Sequence, residues 1–156
     1  MIALDVPGFG ELRLAHLVCD YNGTLAVDGE LLPGVAAALR ELAADVHIHV
    51  VTADTFGRAA AALADLPVAL TVLENAGQTA AKLAYVTRLG AEGVVALGNG
   101  RNDAHMLAAA RLGVAVLQAE GAAAATLAAA DVVVTGVLDA LRLLSSPQRL
   151  TATLRA

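Results

Sequence analysis

The sequence predicts an α/β fold, a three-layer Rossmann-like sandwich around a central, mostly parallel sheet. Three observations carry this. Short β-branched apolar runs alternate with helix-length, alanine-rich stretches, the pattern of βαβ units whose sheet is buried on both faces. The chain is 58% apolar and 16% charged, which excludes intrinsic disorder. Its 156 residues fit one domain with a full core.

The elements follow in order. Met1–Asp5 and Glu11–Val18 flank Pro7-Gly8-Phe9-Gly10 and read as an N-terminal β-hairpin whose second arm runs into the first core strand, 14–20. Residues 25–32 carry Asp28-Gly29 between apolar pairs, a short flap hairpin. Pro33 opens a helix over 34–44. Strands are expected at 46–52, 68–73, 94–97, 113–117 and 131–135, and helices at 55–65, 76–89, 102–111, 119–130, 137–144 and after Pro147. Crossovers between parallel strands should be right-handed.

Composition narrows the function. Aromatics are 3% with no Trp, against a base-stacking surface. The net charge of −5 and pI near 5.2 disfavour nucleic acid as a partner. Mean hydropathy is +0.67, but much of it is alanine. The apolar run between Glu120 and Asp131 has ten residues, half of what a bilayer needs. The opening residues lack the basic and apolar regions of a signal peptide. Cys19 is the single cysteine, so neither an internal disulfide nor a cysteine zinc cage is available. A cytoplasmic protein with no membrane partner is expected.

In such sheets ligands bind beyond the carboxyl ends of the strands. There the sequence places Asp20-Tyr21-Asn22-Gly23-Thr24, then Thr52-Ala53-Asp54, then Gly98-Asn99-Gly100-Arg101-Asn102-Asp103. Lys82, the only lysine beside nine arginines, lies in the helix before the last of these strands. An acid, a hydroxyl, an ammonium and a second acid suit Mg²⁺-assisted phosphoryl chemistry. Magnesium takes a few carboxylates plus waters and substrate oxygens. Phosphoryl charge takes a cation and hydroxyl donors, and a carboxylate can itself attack phosphorus.

D-x-x-G-T, a strand-end Thr, a helical Lys and G-x-G-x-N-D, in this order over about 14–135, resemble the haloacid dehalogenase-like superfamily. The resemblance implies that Asp20 is the nucleophile and a metal ligand, and that Asn22 offers its backbone carbonyl to Mg²⁺. Thr52 would hydrogen-bond the phosphoryl oxygens. Lys82 would neutralise the phosphoryl group and Asp20. Asp103 would bind the metal, with Asn99 in place of the other acidic residue of that motif. Gly23, Thr24 and Ala53 complete the implied phosphate-binding set, and Gly23 and Gly100 let backbone N–H groups approach.

Two departures stand out. Phosphatases of the superfamily carry a second Asp two residues after the nucleophile as general acid and base; here it is Asn22. Asn99 also stands where Asp is usual. An amide cannot shuttle a proton, so turnover should fall by about 10²–10⁴, and Mg²⁺ should bind less tightly. The nearest resemblance is to a soluble, P-type-ATPase-like branch, which favours a long-lived aspartyl phosphate. The intervals Thr24–Thr52 and Thr52–Lys82 leave no room for a cap domain. Capless members act on large substrates or oligomerise, and exposed Leu31 and Leu32 on the flap hairpin would favour a homo-oligomer. The substrate is a phosphorylated small molecule or macromolecule.

Other residues have plainer readings. Asp20, Thr52 and Asp103 are also natural turn or cap residues. Asp54, Arg58 and Arg101 read as solvated charge. His47 and His49 alternate on a strand and read as sheet-face side chains without a third metal ligand; His16 is similar. His105, two residues after Asp103, is the histidine nearest to the missing acid/base. Cys19 reads as packing, and the 119–130 helix as core-facing scaffold. Asn22-Gly23 and Asn99-Gly100 are deamidation-prone pairs that could regain an acid on ageing.

Three alternatives to a phosphohydrolase or phosphotransferase remain open. One is a non-catalytic or regulatory module that binds phosphate or a partner on the same fold. Another is a phospho-accepting receiver domain, whose acceptor follows a later strand. The last is a dinucleotide-binding domain, which needs a Gly-rich turn at the first helix; Gly98-Asn99-Gly100 comes late and lacks the third glycine.

Overall fold

The computed structural model describes residues 1–156. Strands β1 (Ile2–Val6) and β2 (Gly10–Leu14) form the antiparallel N-terminal hairpin, and the chain passes through Ala15 into β3 (His16–Cys19). A second hairpin, β4 (Ala26–Val27) and β5 (Glu30–Leu31), follows. Its turn residues Asp28 and Gly29 have φ of 52° and 80°, the doubly left-handed turn that matches strand twist. Then come α1 (Val35–Leu42), β6 (His47–Thr52), α2 (Ala59–Leu63), β7 (Val68–Val72), α3 (Gln78–Leu89) and β8 (Val94–Gly98). The chain ends with α4 (Ala104–Ala109), β9 (Leu112–Val116), α5 (Ala124–Ala129), β10 (Val132–Val134), α6 (Val137–Leu144) and α7 (Pro147–Leu154).

Six strands form one parallel sheet in the order β10-β9-β8-β3-β6-β7. From β3 the chain first builds toward β7, then crosses to build β8, β9 and β10 on the other side. The strand order therefore reverses between β3 and β8, where a crevice opens at the carboxyl ends. Cys19 pairs with Leu97 on one side and Val50 on the other, so Asp20 emerges level with Gly98 and Val51.

Alternation along the strands fills both faces. Leu17, Cys19, Val50, Val95 and Leu97 join α1, α6 and α7 in the larger core. Val18, Val51, Val94 and Ala96 meet Val86 of α3 and Met106 and Leu107 of α4. β8 and β9 are buried at every residue, as central strands between helix layers must be.

The structure corrects several expectations. The 55–65 helix begins only at Ala59. Asp54 has φ 50°, and its carboxylate accepts the N–H groups of Arg58 and Ala59, both at 3.0 Å; the preceding residues are spent on that cap. The 102–111 helix is a 3₁₀ turn over Arg101–Asp103 followed by α4. The 119–130 helix shortens to α5, because residues 118–121 form a turn closed by Gly121 N–H on Gln118 O at 2.7 Å. α5 faces the core over a narrow strip, with Thr126 its one buried residue and the half-buried Leu127 packed against the smaller cluster. Leu31 and Leu32 are half-buried against the larger core, so they are not an exposed apolar surface. No helix is long and apolar enough to cross a membrane.

Candidate active site

The crevice is a cleft of about 230 Å³ lined by Asp20, Asn22, Thr52, Ala53, Thr55, Gln78, Asn99, Gly100, Asn102 and Glu120. β3 delivers Asp20 and pins its backbone, with Asp20 N–H donating to Leu97 O at 3.0 Å. α3 delivers Lys82 from the side. Its ammonium is 1% exposed and donates to Asp20 Oδ1 at 2.8 Å, Asp103 Oδ1 at 2.7 Å and Asn102 Oδ1 at 3.2 Å. All three donors are used, the condition for a buried ammonium to be tolerated. Gln78, one turn earlier on α3, accepts from Asn102 Nδ2 at 2.7 Å.

Asp103 is fully buried. Its Oδ2 accepts the N–H groups of Asn99 and Gly100 at 3.0 and 2.9 Å, so both of its oxygens are engaged. Gly98 makes room for this carboxyl: a Cβ there would stand 2.5 Å from Asp103 Cγ. Asn99 is engaged as well. Its Oδ1 accepts from Thr24 Oγ1 at 3.1 Å and its Nδ2 donates to Gly121 O at 3.2 Å.

Burial, first, and the charge of Asp103, second, push the Asp20 carboxyl up to about 7 against the pull of Lys82. Burial pulls Lys82 down, but the two carboxylates outweigh it and the net direction is up. Thr52 is buried; its oxygen accepts Asp54 N–H at 3.0 Å, leaving the hydroxyl hydrogen free for the cleft. Both amide atoms of Asn22 are buried without a partner. Buried polar atoms of this kind mark a place for water, an ion or a ligand.

Asp20, Asn22, Thr52, Ala53 and Asn99 thus line one cleft, and Lys82 and Asp103 stand immediately behind Asp20. Thr24 sits behind Asn99 and is buried. Gly23 has φ +81° and no space for a side chain, since a Cβ would overlap Glu120 Oε2 and approach Asn99 Nδ2. His105 is not in the cleft; it is exposed on α4 in a separate depression with Thr79, Arg101 and Asn102. His16 and His49 do lie on a sheet face, hydrogen-bonded at 3.1 Å, with His49 bonded onward to Tyr85 at 3.0 Å.

Sequence reasoning missed Gln118 and Glu120. Gln118 Nε2 donates to Gly23 O at 3.2 Å and Thr24 O at 2.6 Å, while its Oε1 accepts Val137 N–H at 3.1 Å. It straps the loop after β3 to the start of α6. Both residues follow β9, and the strand-end rule, applied to that strand too, would have found them. Tyr21 was also passed over; its hydroxyl donates to Gly29 O at 2.9 Å and anchors the flap hairpin.

A family model for haloacid dehalogenase-like hydrolases matches residues 75–141. An uncharacterised protein of Methanocaldococcus jannaschii is 45% identical over 62 residues, 40% of this chain and 67% of that protein. Among solved structures, the 3-deoxy-D-manno-octulosonate 8-phosphate phosphatase of Moraxella catarrhalis, in complex with magnesium, phosphate and the sugar acid, has a TM-score of 0.71 at 16% identity, over 92% of this chain and 94% of that one. The cobalt-bound deoxy-D-mannose-octulosonate 8-phosphate phosphatase of Haemophilus influenzae has a TM-score of 0.70 at 17% identity, with the same coverage. A zinc-transporting PIB-type ATPase has a TM-score of 0.63 at 26% identity, over 78% of this chain but 20% of the ATPase.

Proposed function

We infer that the chain is a member of the haloacid dehalogenase-like superfamily, whose hydrolase model matches residues 75–141, and on that premise we propose that it is a phosphohydrolase or phosphotransferase that forms an aspartyl phosphate on Asp20. The observation that carries the reading is the buried Lys82 ammonium bridging Asp20 and Asp103 at the reversal of strand order. A structural ion pair needs no such address.

Asp20 presents its carboxylate to the cleft while Lys82 holds Oδ1. An Asp20 oxygen attacks phosphorus, the bond from phosphorus to the leaving oxygen breaks, and the leaving group takes its proton from solvent. Lys82 and the Thr52 hydroxyl balance the phosphoryl charge. Water then attacks the acyl phosphate and frees inorganic phosphate, or another hydroxyl accepts the group. Asn22 cannot activate that water, so this second step is slow.

A divalent cation fits the cleft, because the unpaired Asn22 amide and the Asp20 carboxylate line it together. We assign Mg²⁺, held by Asp20 and the Asn22 carbonyl, with Asp103 and Asn99 ordering the surrounding loop. It would supply charge neutralisation of the phosphoryl oxygens.

The substrate is a phosphorylated small molecule or macromolecule. The reading also holds the chain to a single capless domain in the cytoplasm, with no nucleic-acid or membrane partner. A homo-oligomer is part of the proposal, through Val72 and Val133, the exposed apolar side chains of the outer strands. The second reading, a phosphate- or partner-binding module, is favoured by one observation, the amide at position 22.

Phosphate release from acetyl phosphate and p-nitrophenyl phosphate decides between them. Fresh protein is assayed with Mg²⁺ or chelator, beside Asp20→Ala and Asn22→Asp. Mg²⁺-dependent turnover that Asp20→Ala abolishes supports the enzyme. Silence from folded wild type and Asn22→Asp alike supports the module.

A further inference from the structure

We propose that Glu120 is a carboxylate ligand of the divalent cation, in the role that Asn99 does not fill; this rests on the reading of the cleft as a cation-assisted phosphoryl site. Of the ten residues lining the cleft, Asp20 and Glu120 alone carry carboxylates. The two motif residues beyond β8 are otherwise committed. Asn99 has its amide oxygen on Thr24 and its amide nitrogen on Gly121, and Asp103 has both carboxylate oxygens engaged, by Lys82 and by two backbone N–H groups.

Glu120 is not committed. None of the chain's six ion pairs includes it. Its Oε2 lies against Gly23, beside the Asn99 amide, and so borders the loop whose Asn22 amide atoms are buried without partners. An exposed glutamate needs no explanation by itself. One that lines the same cleft as unsatisfied buried polar atoms does.

The backbone around Glu120 is fixed from several directions. Gln118 grips Gly23 O and Thr24 O. Asn99 Nδ2 holds Gly121 O, and Ala123 N–H donates to Asn99 O at 2.8 Å. Asn99 thus serves as the tie that carries Glu120 to the cleft. A hard divalent cation takes carboxylate oxygens and retains waters. With Asp20, Asp103 and Lys82 alone the loaded site is formally cationic; Glu120 brings it to neutrality and strengthens cation binding.

The test uses Mn²⁺ as probe on the whole chain, read by electron paramagnetic resonance for affinity and by water-proton relaxation for the number of coordinated waters. Wild type should bind one Mn²⁺. Glu120→Gln, on an exposed turn and checked by circular dichroism, should weaken binding about tenfold or more and add one coordinated water. Equal affinity in the two proteins overturns the assignment, as does weaker binding with an unchanged water count, the signature of a charge acting from a distance. Absence of Mn²⁺ binding by wild type overturns the assignment together with the cation reading it rests on. Mn²⁺ binding by wild type with no change in Glu120→Gln overturns the Glu120 assignment alone and leaves the cation reading standing, so the two failures are distinguishable.

Discussion

Lys82 is the residue on which the site turns. Its ammonium is enclosed and satisfied by Asp20, Asp103 and Asn102. Removing one partner of a buried charged set leaves the others unpaired, which costs about 3–5 kcal/mol. Lys82→Met should lower unfolding free energy by about that amount in a urea titration at neutral pH. Lys82→Arg should not restore turnover, because a planar guanidinium cannot replace a point charge between two carboxylates. Asn22→Asp should raise phosphate release by about 10²–10⁴, seen in steady-state turnover. Asn99→Asp should behave differently. It sets a carboxylate oxygen against Gly121 O and beside Glu120, and should cost about 1–3 kcal/mol of stability in the same urea titration. Asp20, Thr52, Lys82 and Asp103 were legible because each is a chemistry-bearing type at a strand end or in the flanking helix. Glu120 was not, because it opens an alanine-rich stretch with the composition of a helix, and only the turn at 118–121 turns it toward Gly23.

Among the elements, strand order and hairpins could be read from apolar runs and turn residues, whereas helix starts could not. The 55–65 segment has helix-forming composition, yet Asp54 in a left-handed conformation captures the N–H groups of Arg58 and Ala59 and delays the helix. Local side-chain capture of the backbone competes with helix in this way. Asp54→Ala should cost about 0.5–2 kcal/mol, measured by thermal or urea unfolding. The starts of β3 and β6 carry a second consequence. His16 and His49 share a hydrogen bond, and burial first, then neighbouring histidines, hold both below the ordinary histidine pKa. His47, Tyr85 and Arg88 are the other ionisable groups around them. The folded state thus binds protons less readily than the unfolded chain. Their contribution is complete above the unfolded value near 6.5 and is lost as pH falls below it. Asp20, raised to about 7, works the other way over this window, so the histidine contribution is read by difference: from pH 7 to pH 5 the thermal midpoint of His16→Gln should fall less, or rise more, than that of wild type.

For the molecule as a whole, function follows from topology. A parallel sheet whose strand order reverses beside β3 must leave a crevice at the carboxyl ends, and the sequence places its acids, amides and Thr52 there. No element between β3 and β6 is larger than the small hairpin and α1, and on the proposed reading this leaves room at the cleft for a bulky phosphorylated group. The central claim is covalent: Asp20 accepts the phosphoryl group and Asn22 makes it linger. The direct measurement is acid quench of the protein during turnover of radiolabelled acetyl phosphate with Mg²⁺, followed by peptide mapping. The account predicts a hydroxylamine-labile label on the peptide containing Asp20, absent in Asp20→Ala and shorter-lived in Asn22→Asp. Full turnover by Asp20→Ala, or label on another residue, would contradict it.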